Sequence, residues 1–292
     1  MKKEKKLHSI NFVDVLIVIF FILIVSVSLV PMMNILSLSV SDEWAATVNP
    51  GRFFPDFNHM ALAAYKALIT SKAVYRGLLV SFSVVFVGTA IHMTLTTMVG
   101  FAVSNEKVPG RKGMMLYVLF TILFNGGLIP TYLAIDSYGL INTFWVLVIP
   151  YAVNGYNVVL IKNHIANIPK ALLDAAEIDG ANPLVLLIKI ILPLCIPVMA
   201  TLALLCAISK WNDWMTYFLY ARGVQELKPF QNVLQDVVVN VDLSNANDMD
   251  LSEFGTAFQN ALIVVSLIPI VVLYLLTQKY LIKGLFIGSV KE

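Results

Sequence analysis

From residue 12 to residue 33 the chain carries one charged side chain, Asp14, and five more long runs almost free of charge follow, at 73–103, 114–135, 142–162, 184–208 and 254–278. A hydrocarbon core of roughly 30 Å needs about 20 helical residues at 1.5 Å each, so each run is long enough to cross a bilayer. Composition agrees. At 59% hydrophobic and 13% charged residues over 292 positions, the chain would expose more apolar surface than water solvates. These runs predict an all-α, polytopic membrane protein of six transmembrane helices. The remainder divides into an N-terminus 1–11, a connecting loop 163–183, and outer segments 34–72 and 209–253.

Orientation follows from lysine and arginine, which resist translocation. With the N-terminus in the cytoplasm, thirteen of the twenty basic residues fall on the inner side, among them Lys2, Lys3, Lys107, Arg111 and Lys170. Both termini are then cytoplasmic, and the first run, which lacks a small-residue cleavage pattern, is a retained helix. The basic N-terminus serves as a topology anchor drawn to anionic lipid, and a net charge of +2 does not suggest a nucleic-acid partner.

Several chemistries find no residues to carry them. Cys195 and Cys206 share one run, about 16 Å apart along a helix, too far to pair. The four histidines (His8, His59, His92, His164) lack metal-ligand spacing, so no metal site is expected. No Gly-Lys dipeptide occurs, which excludes a phosphate loop, so any ATP that drives this protein binds another chain. Ion-coupled transporters carry ionisable groups inside their spans, whereas here only His92 sits mid-run, as a packed, hydrogen-bonded histidine or a proton relay.

Between the fourth and fifth runs lies PKALLDAAEIDG, residues 169–180, a polar, alanine-rich stretch where a short link would suffice. Pro169 suits a first helical turn and Asn167 is placed to cap it. Alanines and leucines favour helix, and Asp174, Glu177 and Asp179 are acidic and early enough to suit its positive dipole end. Gly180 ends it in the left-handed conformation, and Asn182 with Pro183 opens the next helix. A helix of about three turns is marginal by itself and needs tertiary support or a partner. Downstream, Pro193 and Pro197 interrupt helix bonding and predict a kink in the fifth run.

The same stretch resembles the EAA loop of permease subunits of ABC importers: E-A-A, three residues, Gly, nine residues, Ile, one residue, Leu-Pro. Here it reads Asp174-Ala175-Ala176, then Gly180, Ile190 and Leu192-Pro193, every spacing matching, with aspartate in place of glutamate. The resemblance extends over most of the chain to the ending KGLFIGSVKE. The chain looks most like the maltose-type, carbohydrate-uptake branch, and within it NGGLIPTYL (125–133) and SKWNDWM (209–215) resemble the subgroup importing oligosaccharides in bacteria. It implies the type I importer permease fold in the bacterial inner membrane, with a cytoplasmic coupling helix seated on an ATPase subunit. Asp174, Ala175, Ala176, Glu177, Gly180, Pro183 and Pro193 then form the ATPase-coupling element. It also implies a second permease subunit, usually a different chain, two ATPase subunits holding ATP and magnesium, and an extracellular sugar-binding protein that the outer segment 222–253 is placed to meet. This chain would bind no cofactor and hydrolyse nothing itself.

Sugar passage calls for uncharged hydrogen-bonding groups and flat aromatic faces, which the spans offer in Asn125, Tyr132, Tyr151, Asn154, Tyr156 and Asn157. Asn154 and Asn157 share a helix face, either toward the pore or bonded to neighbouring helices. Trp211, Asn212, Asp213 and Trp214 combine aromatic and polar groups suited to a sugar gate or to an interface anchor. The competing readings are a permease for a non-sugar solute, an ion-driven secondary transporter and a membrane enzyme or receptor subunit. Uptake driven by an ion gradient without any ATPase, or product formed by the purified chain, distinguishes the last two.

Overall fold

The computed structural model describes residues 12–238 and 255–287, with side chains as far as residue 279. Residues 1–11, 239–254 and 288–292 lie outside the described residues, and with them the basic N-terminus, much of the acidic outer stretch and the end of KGLFIGSVKE. Among the described residues the regular elements are helices, and the β component is an isolated antiparallel bridge between Ser41 and Met60. The chain divides into two units, 1–71 with 242–265 and 72–241 with 266–292.

In the first unit, α1 (Phe12–Ser39) runs 28 residues, and its apolar side chains are exposed through Met33. Its end is tied down by polar groups. The Asn34 amide donates to the carbonyls of Pro50 (2.8 Å) and Arg52 (2.7 Å), and the Tyr65 hydroxyl donates to Ser39 Oγ (2.9 Å). Asp42 caps α2 (Glu43–Val48) by accepting from the Ala45 N–H at 2.7 Å, and α3 (Ala63–Thr70) follows. The Glu43 carboxylate accepts from Thr256 N–H (2.6 Å) and Ala257 N–H (3.1 Å), satisfying orphan donors of the helix Thr256–Ile287 from 213 positions away.

The second unit is organised around α4 (Lys72–Ser104), whose buried face reads Gly77, Ser81, Val84, Gly88, His92, Thr96, Gly100 and Val103. The spacing of three or four keeps these small and polar residues on one side of the helix. A Cβ on Gly77 would lie 3.1 Å from Val233, one on Gly88 2.7 Å from the Lys210 stem, and one on Gly100 2.8 Å from Ile161. Three neighbouring helices therefore approach α4 at its glycines, the close packing that membrane helices achieve through small residues. Ser81 Oγ also accepts from the buried Phe230 N–H at 2.9 Å.

The third and fourth apolar runs do not form unbroken helices. The third is split into α5 (Arg111–Leu123) and α6 (Leu128–Ser137), because Gly127 has φ +85° and the Asn125 side chain accepts from its N–H at 2.8 Å. The fourth opens with a 3₁₀ turn at Phe144–Leu147 and becomes α7 only at Gly155–Ala166. Pro150 cannot continue a helix, and Asn154 caps the new one by accepting from the Asn157 N–H at 3.2 Å. Val146, Leu147 and Val148 are buried, which shields the 3₁₀ turn, whereas Ile149, Tyr151 and Val153 beyond it are exposed. Among the described residues four helices are long and apolar enough to cross a membrane: Phe12–Ser39, Lys72–Ser104, Pro183–Trp211 and Thr256–Lys279.

The remaining elements are α8 (Lys170–Ile178), α9 (Pro183–Leu186), a π turn at Leu187–Ile191, α10 (Leu192–Trp211), α11 (Met215–Tyr220), α12 (Phe230–Val238) and α13 (Thr256–Ile287). Pro193 stands in the first turn of α10, directly after that π turn, where Leu192 N–H bonds Leu187 C=O, and Pro197 lies inside α10, which continues through it. The wider turn absorbs the break that the missing proline N–H would cause.

Candidate functional site

The helix expected in PKALLDAAEIDG is present as α8, with one boundary corrected and its acidic residues in the middle and at the end, not at the positive dipole end, because the helix starts at Lys170. Asn167 closes α7, its N–H bonding His164 and Ile165 carbonyls, and Pro169 stands at the N-cap of α8 with no side-chain cap bond. The end follows from the residues. Gly180 has φ +84°, its N–H donates to Glu177 C=O (3.0 Å), and Ala181 N–H donates to Ala176 C=O (3.0 Å). These two bonds are the paired closure of a Schellman motif. Asn182 Oδ1 then accepts from Val185 N–H at 2.9 Å, with Pro183 in the first turn of α9. Only Gly180 and Ala181 separate the C-cap Asp179 from the N-cap Asn182, which makes a stiff elbow.

One face of α8 is buried and the other is not. Leu173 and Ala176 join a cluster with Ile165, Ile168, Leu186, Leu187, Ile191 and Cys195. Ala171, Leu172, Asp174, Ala175 and Ile178 are exposed, Ile178 at 86%. Asp174 has no side-chain hydrogen bond or ion pair among the described residues. Sequence reasoning missed Leu172 and Ile178, whose exposed apolar character on a polar loop is the signal of a covered surface. It also missed the ion pairs that flank the helix, Lys107 with Glu177 and Lys170 with Glu106 at 3.5 Å.

The residues offered for a substrate path scatter. Asn154 is spent on the α7 cap, and the Asn157 amide donates to His92 Nε2 at 2.9 Å. An amide NH₂ can only donate, so Nε2 is the acceptor in this bond. Trp211 is 2% exposed: its indole N–H donates to Ser266 C=O (3.0 Å) and its ring stacks on Phe230 (5.9 Å, 27°). It is a core residue that shows no free face to a sugar. Asn212 is exposed and accepts from the Gln231 amide at 3.4 Å. Asp213 accepts from the Thr216 N–H and hydroxyl at the start of α11, and Trp214 packs edge-on against Phe218.

Tyr132 and Tyr151, by contrast, converge on a residue not singled out beforehand. The Tyr132 ring stacks on Tyr220 at 5.8 Å, and Tyr151 lies beside the Tyr220 phenol. Burial, reinforced by Tyr151, pushes the Tyr220 phenol up to about 12, so the group stays protonated. Tyr151 and the neighbouring Trp145 are about half exposed. Nearby, Ser81, Val84, Leu147, Lys210, Asp213, Thr216 and Pro229 line a niche about the size of one water molecule, in which Lys210 is the basic side chain.

The chain is 34% identical over 285 residues to the polygalacturonan/rhamnogalacturonan transport system permease protein YtcP of Bacillus subtilis, an alignment covering 95% of this chain and 98% of that one. The chain belongs to the ABC importer permease family, in its sugar-transport branch. A second relative of this permease, protein LplC of the same organism, is 34% identical over 269 residues, covering 91% and 90% of the two chains. Among solved structures, the permease superposes with a TM-score of 0.85 on a chain of a bacterial ABC transporter that imports the acidic polysaccharide alginate, at 27% identity over 94% of this chain and 98% of that one. A further alginate transporter chain, at 14% identity and TM-score 0.56, shares the fold. No protein-family model matches the chain.

Proposed function

We propose that this permease is one of two six-span membrane subunits of an ATP-driven importer, and that it passes an oligosaccharide handed over by an extracellular binding protein. ATP and magnesium are held by two cytoplasmic ATPase subunits, and α8 is the coupling helix that receives their motion. The observation that carries the reading is α8 itself: a short helix closed by a stiff elbow, buried on the Leu173 and Ala176 side, with Leu172, Asp174, Ala175 and Ile178 open to a partner. A flexible connection would absorb the displacement before it reached α10. Thirteen of the twenty basic residues fall on the inner side of this topology, which supports a cytoplasmic placement of the loop and an inner-membrane protein with cytoplasmic termini.

The substrate path is assigned to the broken third and fourth runs, since interrupted membrane helices serve transporters as binding elements. Tyr132 and Tyr151 offer partly exposed rings and hydroxyls for a sugar, with the buried Tyr220 packed behind them. The similar proteins transport polygalacturonan or alginate, polymers whose sugars carry carboxylates, which favours an acidic oligosaccharide here. Oligogalacturonate uptake by the importer in proteoliposomes, exceeding uptake of a neutral oligosaccharide, is the expected result. Replacement of Gly180 by leucine, which strains a left-handed position, should abolish uptake while membrane insertion persists. Undiminished uptake in that variant would refute the coupling role.

A further inference from the structure

The ion pairs beside α8 form a pattern. Glu106 and Lys107 are consecutive in the loop between α4 and α5, and they meet Lys170 and Glu177, which stand seven positions apart on α8. Seven residues make two helical turns, so Lys170 and Glu177 share one face, about 10 Å apart. Adjacent loop residues of opposite sign thus grip the two ends of that face. Arg111, in the first turn of α5, approaches Glu106 at 3.9 Å and completes the group.

The loop is built to hold still. Asn105 N–H bonds Phe101 C=O (3.0 Å) and continues α4, its side chain accepts from the Lys107 N–H (2.9 Å), and Val108 N–H returns to Asn105 C=O (3.3 Å). Gly110, with φ +77°, then turns the chain directly into α5. Exposed ion pairs add little to stability, and Lys107 and Lys170 are 70% and 79% exposed. What the arrangement does specify is register. Rotating α8 by half a turn, or sliding it by two turns, would break both grips or set like charges against each other.

We propose that residues 105–111 position α8: the crossed pairs Glu106–Lys170 and Lys107–Glu177 fix its rotation and make its displacement a displacement of α4 and α5 as well as of α10. The inference rests on the reading of α8 as the coupling helix. Lys107 and Glu106 are positioning residues that act through α8.

The test uses the complete importer, permease with its partner subunits, in proteoliposomes. Lys107→Glu, Glu177→Lys and the double exchange are compared by sugar taken up per ATP hydrolysed, with ATPase co-purification as the measure of assembly. Each single reversal is expected to lower that ratio about fivefold, the scale of an ordinary coupling energy, while assembly persists. The exchange restores it. Wild-type ratios in both single variants, or a double variant no better than the singles, would overturn the proposal. The neutral Lys107→Gln, measured alike, replaces any reversal that fails to reach the membrane. Gly180→Leu separates the two claims. If it transports normally, the coupling reading itself falls. If it is uncoupled while Lys107→Glu is normal, only the loop inference falls.

Discussion

The Asn157 amide donates to His92 Nε2 over 2.9 Å and so joins α7 to α4 at a histidine that is 3% exposed. Replacing Asn157 with alanine leaves Nε2 without a donor, and hydrogen bonds between membrane helices contribute on average about 0.6 kcal/mol, reaching about 1.7. A lower unfolding temperature in detergent with unchanged substrate preference is expected. Altered sugar preference at full stability would instead place Asn157 on the substrate path.

Gly100 is expected to tolerate no side chain, because a Cβ there would lie 2.8 Å from Ile161, itself fully buried. Gly100→Ala should destabilise the permease by about 1–3 kcal/mol, the usual range for overpacking. Gly113, on α5 with nothing within 4 Å of its Cβ position, serves as the control and should accept alanine. Thermal unfolding of the two variants side by side checks the contrast.

Trp211 separates a gate from a core residue. Trp211→Ala removes a buried ring and its bond to Ser266, a change that costs about 3–5 kcal/mol in packed cores. The expected outcome is poor accumulation in the membrane. Normal accumulation with selectively lost uptake would return Trp211 to a gating role.

Acid should loosen the first outer segment. The Ala45 N–H, and then the His59 side chain at 2.9 Å, hold the Asp42 carboxyl below the usual carboxylate range. A depressed folded value means that Asp42 stabilises the segment above about pH 4, where the unfolded group is ionised, and that this stabilisation fades as pH falls through the folded value. Asp42→Asn keeps an N-cap acceptor and removes the titration, so its stability should vary less between pH 5 and pH 2 than that of the parent, as followed by proteolysis of the outer segment.

What could be read from the chain alone was local in sequence. Apolar runs announced membrane helices because the bilayer sets their length, and Gly180, Asn182 and Pro183 announced the elbow because caps and left-handed turns act within about five residues. Local signals also erred where two fitted: Asn167 can cap a helix as readily as it can close one, and the structure uses it for the second. In the third and fourth runs hydrophobicity masked the breaks, although Asn125, Gly127, Pro150 and Asn154 were legible as turn and cap residues.

Only the tertiary structure decided which partner each polar or aromatic group meets. Asn157 finds His92, Tyr132 finds Tyr220, and Glu43 finds the start of α13, each across a sequence gap that no short motif spans. The small residues of α4 were visible at spacings of three and four, yet their meaning depended on which helices came to rest on them. The bilayer and the backbone dictate where helices begin and end, since those demands fall on neighbouring residues. Packing and hydrogen bonding between helices dictate which side chains remain free for a sugar or an ATPase, since those demands fall on residues that only folding brings together.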